Sequence, residues 1–433
     1  MVTRIAVSAS NSSIHRACLA PRGGPPPPGR GSFRPTGVTR TLDRVPVGGA
    51  GRAITAILSG LTLVIGCAPP VRSAEPVAPA PRVEPTQVLA RTVITPEEAL
   101  TLEELLFRAE AALRRGDFGA ALVDLDRIVR AEPDGALAPR ARLLAAEAVE
   151  AQADHAGAAE RLEQIALRHP ASPEARVALV RVVRLRTFLE QWERAGAAAD
   201  ALIARYPDLG PIEQIVARSG RALRSIAVGD VEVASREVEW GRTVVEEHGL
   251  DQAGRISVDL ARLYFALGEV RRARAEATKF APRPADFGAA LERRCQLLLD
   301  AQSAYSAALR AHDAHWSAMA GFRTGELYQS LHEDLMNVPP PAAADTAARR
   351  DLFEGAMRLR YSILLEKALA MMDQTLAMAA RTGERSAWVE RAAAARAELD
   401  AAMEREEAVL ERLPYTREQL SRAMDALSAG RAP

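Results

Sequence analysis

Aromatic residues make up only 4% of the 433 residues, cysteine occurs three times, and alternating runs of β-branched residues are almost absent. Each shortage excludes something. Without alternation at period two, no sheet is indicated. Without strands, no glycine-rich phosphate loop can follow one. No serine sits in a glycine-x-serine-x-glycine elbow, and no histidine pair carries an acidic base at metalloprotease spacing. The carboxylates are plentiful, but most stand beside arginines at i and i+4, the pattern of a solvated helix face. His312, His315 and the run His332-Glu333-Asp334 are read as solvated or capping groups rather than metal ligands. No catalytic residue, metal, cofactor or small-molecule substrate is therefore assigned.

What is present is unevenly distributed. The chain is neutral overall, yet residues 1–66 hold eight arginines and a single acidic residue, Asp43. That surplus of seven positive charges leaves an equal negative excess beyond Gly66, so the remainder has no electrostatic footprint for nucleic acid. Residues 1–44 carry Pro25-Pro26-Pro27-Pro28 and repeated glycines, a composition that cannot bury a core. This stretch is read as a disordered leader from a mis-set translation start, with Val38, Val45 or Val47 as the start; a peptide spanning Met1 to Arg40 recovered from cells would contradict that.

The charge break falls at a second signal. Arg52 precedes 13 uncharged, mostly apolar residues, Ala53 to Ile65, followed by Gly66 and Cys67. That run suits a secretory signal over residues 45–66 and is too short to span a bilayer comfortably. Val64-Ile65-Gly66-Cys67 resembles the bacterial lipobox. The resemblance implies that the Cys67 thiol is joined to diacylglycerol, that cleavage occurs before it, and that the new amine is acylated, with palmitate as the expected chain. Several acyl chains hold firmly where one binds marginally, since each buried methylene contributes about 0.8 kcal/mol. Ala68, rather than an aspartate, follows the cysteine, which by resemblance points to the outer membrane and its periplasmic face. Residues 67–95, with Pro69, Pro70, Pro76, Pro79, Pro81 and Pro85, form a spacer; about 25 residues in polyproline geometry reach roughly 80 Å. With Cys18 in the leader and Cys67 lipidated, Cys295 is expected to stand alone as a small buried hydrophobe, with no intramolecular disulfide.

From Pro96 onward, helical periodicity with turn punctuation fills the chain. Gly116-Asp117-Phe118 opens the clearest unit. Pro133, Pro170 and Pro207 recur every 37 residues, and turns at Asp117, Asp154 and Gln191 keep that spacing. Later turns are expected at Gly229-Asp230-Val231 and Gly268-Glu269-Val270, with Pro282 closing a fifth unit. Small residues mark where two helices must approach closely: Ala109, Ala146, Val183, Ala222 and Ala261 in the first helices, and Ala121, Ala158, Ala195, Ala234 and Ala273 in the second. These residues resemble the tetratricopeptide repeat, with a period longer than that family's. The fold class is therefore all-α, a tetratricopeptide-like helical-hairpin solenoid over 96–282, followed by a C-terminal long-helix module and cap over 283–433.

In that module, Phe322-Arg323-Thr324-Gly325-Glu326-Leu327-Tyr328, a break at Pro339-Pro340-Pro341 and a long helix from Leu352 resemble the tetratricopeptide lipoproteins of gliding bacteria. The resemblance implies an envelope scaffold of a motility or secretion machine, with other envelope proteins as partners. It further implies a concave face onto which Glu110, Glu147, Glu150, Arg184, Arg255 and Arg262 point, with Leu113 and Phe265 as apolar anchors. Charges there would recognise an extended peptide or partner helix. A second class stays open, an accessory factor or enzyme of cell-wall or outer-membrane biogenesis.

Overall fold

The computed structural model describes residues 100–252 and 254–428, which lie within one compact unit. The leader, the signal segment, Cys67 and the whole of the spacer fall outside the described residues. Among the described residues there are fourteen α-helices and no strand. They are α1 Leu102–Arg114, α2 Phe118–Ala131, α3 Ala138–Ala151, α4 His155–Arg168, α5 Pro173–Phe188, α6 Trp192–Arg205, α7 Pro211–Ala227, α8 Val231–Glu247 and α9 Val258–Glu276. The C-terminal set is α10 Phe287–Ala308, α11 Ala314–Met336, α12 Ala347–Thr382, α13 Ala387–Arg412 and α14 Arg417–Ser428. No helix among the described residues is long and apolar enough to cross a membrane.

The first eight helices form four hairpins, and one turn builds all four. At each, the first helix ends on a left-handed residue: Gly116 (φ 77°), Ala153 (65°), Glu190 (57°) and Gly229 (84°). The next residue then returns its amide to a carbonyl five positions back, as Asp117 does to Ala112 (3.0 Å) and Asp230 to Ser225 (2.8 Å). This closes the helix C-terminus. The same residue opens the second helix: the side chains of Asp117, Asp154 and Asp230 accept from the amides of Ala120 (3.1 Å), Gly157 (2.8 Å) and Val233 (3.0 Å). Such a cap contributes about 1 kcal/mol. At Asp154 that helps offset the roughly 1–2 kcal/mol of left-handed backbone at the non-glycine residue Ala153. Gln191 makes no such cap; its side-chain oxygen instead accepts from Arg186 at 2.6 Å. Pro133, Pro170 and Pro207 each lie two residues beyond a second helix, where no further turn can form.

Packing follows from the small residues. Ala109, Ala146, Val183, Ala222 and Ala261, and their second-helix counterparts Ala121, Ala158, Ala195 and Ala234, have no exposed surface. Each hairpin packs on the next, and the odd-numbered helices also touch in sequence from α1 through α3, α5, α7 and α9 to α11. The first-helix side is thus a continuous layer. Glu110, Glu147, Glu150 and Arg184 lie on it.

The fifth unit departs from expectation. Gly268-Glu269-Val270 is no turn; α9 runs unbroken through it to Glu276 and pairs with α10. Gly268 serves a close approach instead, since a Cβ there would collide with the Tyr305 ring of α10. Glu269, in the place where the repeats carry a capping aspartate, is buried and accepts from the Tyr305 hydroxyl at 2.6 Å. Arg272 (2.9 Å) and Arg323 (3.1 Å) balance its charge. Burial alone would raise the Glu269 carboxyl, but Arg323, Arg272 and the hydroxyl together hold it below the usual range. Ala273 is accordingly a half-buried residue late in α9, not the opening of a second helix.

Arg323 belongs to the Phe322–Tyr328 run of α11, and that run proves structural. Phe322 packs edge-on against Trp388 with ring centroids 5.5 Å apart, and the Tyr328 hydroxyl donates to Gln302 at 2.8 Å. Gly325 lets α11 lie close against Met372 and the Ala368 carbonyl of α12. Cys295 is 4% exposed within α10, as expected of a small buried group, but it is disulfide-bonded, so the expectation that it stands alone is corrected.

Gly268→Ala is expected to destabilise the fold by about 1–3 kcal/mol, because the Tyr305 ring is held by Glu269 and cannot swing away freely. Gly119→Ala, in open space in the first turn of α2, should leave stability unchanged or raise it by up to about 1 kcal/mol. Urea denaturation of the two variants checks both, and equal midpoints would contradict the account.

Candidate interaction face

The first-helix layer brings most of the expected groove residues into ion pairs with one another's neighbours. Glu110 of α1 meets Arg140 of α3 at 3.3 Å. Glu147 and Glu150 of α3 both meet Arg181 of α5, at 2.8 and 2.6 Å. Arg176 of α5 bridges to Glu213 of α7 at 2.6 Å and to Asp208 at 3.0 Å. The result is a ladder of opposite charges joining successive first helices. Its members are mostly half-exposed, with side-chain exposures such as 45% for Glu147, 34% for Glu150 and 20% for Arg181.

The last rung differs in kind. Arg184 of α5 makes a two-pronged contact with Asp259 of α9, Nε to Oδ1 at 3.0 Å and Nη2 to Oδ2 at 2.7 Å. Arg262, one turn further along α9, donates to the same carboxylate at 2.8 Å. Asp259 is 13% exposed and the Arg262 side chain 4%, and the guanidinium of Arg262 lies 5.3 Å from the centre of the Trp316 ring. Burial alone would push the Asp259 carboxyl up; the hydrogen bond from Arg184 and the charges of Arg262 and Arg184 outweigh it and hold it below the usual range.

Arg262 was expected to face a partner and is instead inside the molecule. Phe265, expected as an anchor on the same side, is 2% exposed and packs against Tyr305 and Trp316 at 5.6 and 5.5 Å between centroids. The physical reason is α11, which covers the side of α9 that would be open in a terminal hairpin. Arg255 is exposed, and its Nε donates to the Ala311 carbonyl at 3.3 Å. Leu113 is half-buried. Of the six charged residues, Glu110, Glu147, Glu150, Arg184 and Arg255 therefore retain exposed surface.

Sequence reasoning missed the partners Arg140, Arg176, Arg181, Glu213 and Asp259. A signal existed for most of them: the paired charges are 30 to 37 residues apart along the ladder, near one repeat period. Asp259 carries no such signal, being 75 residues from Arg184.

The histidines do not converge. His315 is stacked on Phe188 at 4.0 Å between ring centroids, with Glu384 at 3.6 Å, while His332 lies further along α11. Among the described residues there is no cluster of three histidine, cysteine or carboxylate groups able to hold a metal.

Asp259→Asn should destabilise the chain by about 3 kcal/mol at neutral pH, because it leaves the Arg262 charge buried without its carboxylate. The folded carboxyl is depressed, so its contribution is complete above the unfolded value near 4 and fades as pH falls through the folded value. Urea titrations should show the gap between wild type and variant at pH 7 and its narrowing below about pH 4. A gap independent of pH would contradict the assignment.

No protein-family model matches the chain, and no curated protein matches it. Among solved structures it is similar to a tetratricopeptide repeat protein from Parabacteroides merdae ATCC 43184, over 67% of this chain and 98% of that one, at 13% identity and a TM-score of 0.37. It is also similar to a circular tandem repeat protein with novel repeat topology and enhanced subunit contact surfaces, over 76% of this chain and 91% of that one, at 17% identity and a TM-score of 0.18. Scores this low say nothing of partners or arrangement. The turns, the small-residue contacts and the stacked first helices are what make this chain a tetratricopeptide-like helical-hairpin solenoid.

Proposed function

We propose that this protein is a lipid-anchored scaffold on the periplasmic face of the outer membrane, presenting its first-helix layer to partner proteins in an envelope assembly of the motility or secretion type. The observation that carries the interaction role is the ladder of half-exposed ion pairs across α1, α3, α5 and α7. Exposed pairs of this kind contribute only about 0–1 kcal/mol each. A partner strand or helix bearing complementary charge can therefore exchange with them at little cost, and the alternation of sign sets which register it adopts. The anchor rests on the Val64-Ile65-Gly66-Cys67 signal and the charge break beside it, and it requires that the anchored form lack the bond of Cys295, since Cys18 is then removed and Cys67 carries lipid. The role in an envelope assembly rests on the resemblance of the Phe322–Tyr328 module and the long helix behind the triple proline.

Partner capture in cells tests both halves. Glu147→Lys combined with Glu150→Lys places like charge around Arg181 on the exposed layer and should reduce crosslinked partner recovery roughly tenfold, the equivalent of about 1.4 kcal/mol, with the melting temperature nearly unchanged. Cys67→Ser should move the chain from the membrane to the soluble fraction while leaving the ladder intact. Undiminished recovery with the first variant would remove the binding role, and membrane retention of the second would remove the lipid anchor.

A further inference from the structure

Beyond the ladder, the C-terminal module carries a separate cleft of about 660 Å³ between α11, α12 and α13. Two ridges of side chains border it, His332, Glu333 and Met336 on α11 and Glu398, Ala402 and Arg405 on α13, with Leu365 of α12 beneath. The lining steps from Gln329 to His332 and Met336 on α11 and from Glu398 to Ala402 and Arg405 on α13, three or four residues at a time, so the cleft is a groove running along two helices and not a pit between loops. A groove of that form receives a helix or a short extended segment.

His332 gives the lining a polar group that is not satisfied from within the fold. The residue is 5% exposed, yet its Nε2 has no hydrogen-bond partner. A buried polar atom without a partner is disfavoured, and a donor or acceptor arriving in the cleft would satisfy it. The remaining lining sets the sign of that arrival. Glu406 is held by Arg358 at 2.7 Å, and Glu333 accepts from Gln329 at 3.0 Å and enters no ion pair among the described residues. Glu398 is exposed and enters no ion pair among the described residues. Against these acidic groups stands Arg405.

We propose that this groove is a second docking site, whose occupant is a basic amphipathic peptide segment of a partner protein. Its arginine or lysine side chains face Glu333 and Glu398, its apolar side chains rest on Leu365, Met336 and Ala402, and a polar group of the segment bonds His332 Nε2. The site differs from the ladder in place and in charge, and it stands or falls independently of it.

Selection of a random library of 12-residue peptides displayed on phage, against the immobilised full chain, tests this. The recovered peptides should be enriched in arginine and lysine, with apolar residues three or four positions apart. Their affinity should fall at least tenfold on combining Glu333→Lys with Glu398→Lys, both exposed positions at which the fold is not at risk. It should fall less on His332→Gln, and not at all on combining Glu147→Lys with Glu150→Lys. Recovery of no peptides, of peptides without basic enrichment, or of peptides indifferent to the Glu333 and Glu398 changes would overturn the proposal. So would peptides lost equally in the Glu147 and Glu150 variant, because they would then be ladder ligands.

Discussion

One carboxylate, Asp259, draws two arginines from different helices onto a single point, and the junction between the repeats and the C-terminal module depends on it. Arg262 lies inside the molecule only because its charge is answered there. Once it lies there, its guanidinium is placed against Trp316, and Phe265 is closed over by Tyr305 and Trp316. A buried ion pair is a weak source of net stability compared with apolar packing of the same volume, since desolvation takes back much of the attraction. Its consequence is positional. Only one setting of α5 against α9 lets Arg184 use both prongs on a carboxylate that Arg262 also reaches.

The ladder along the other first helices uses the same residue types to a different end. Its pairs are half-exposed, so water screens the attraction, side-chain entropy opposes it, and they add little to the fold. Low individual worth is what makes such a surface usable. A partner has to displace interactions that are nearly neutral, and the layer beneath them is held by alanines and leucines that binding does not disturb. The chain therefore separates its two tasks: apolar contacts and the interior charge clusters around Asp259 and Glu269 hold the stack, and exposed charges are left to recognition. The cleft on α11 and α13 follows the same division, with its apolar floor inside and its carboxylates at the rim.

What was legible in the sequence was local. Asp117, Asp154 and Asp230 could be placed because a cap needs only its own turn, and Ala109, Ala146 and Ala222 because close helix contact admits few residues. Gly268-Glu269 misled because glycine followed by an acid suits a hairpin turn and also suits a helix that passes close beneath a tyrosine; only the position of Tyr305 decides between them. Arg262 and Phe265 were assigned to an open face because repeat logic knows nothing of α11, which covers that face. The bond made by Cys295 and the pairing of Arg184 with Asp259 join residues with no periodic relation, so no local pattern reports them. Whether Cys67 carries lipid is a matter of processing chemistry, and the described residues begin beyond it.

The interior pair and the half-exposed ladder differ in what they contribute to the fold, and double-mutant cycles read from urea denaturation measure that difference directly. Coupling between Arg262 and Asp259, whose side chains are 4% and 13% exposed, should reach about 2 kcal/mol or more, while coupling between Arg181 and Glu150 should stay below about 1 kcal/mol. A coupling between Arg181 and Glu150 as large as that between Arg262 and Asp259 would mean that the ladder is part of what holds the stack, and it would contradict its assignment as an exchangeable recognition surface.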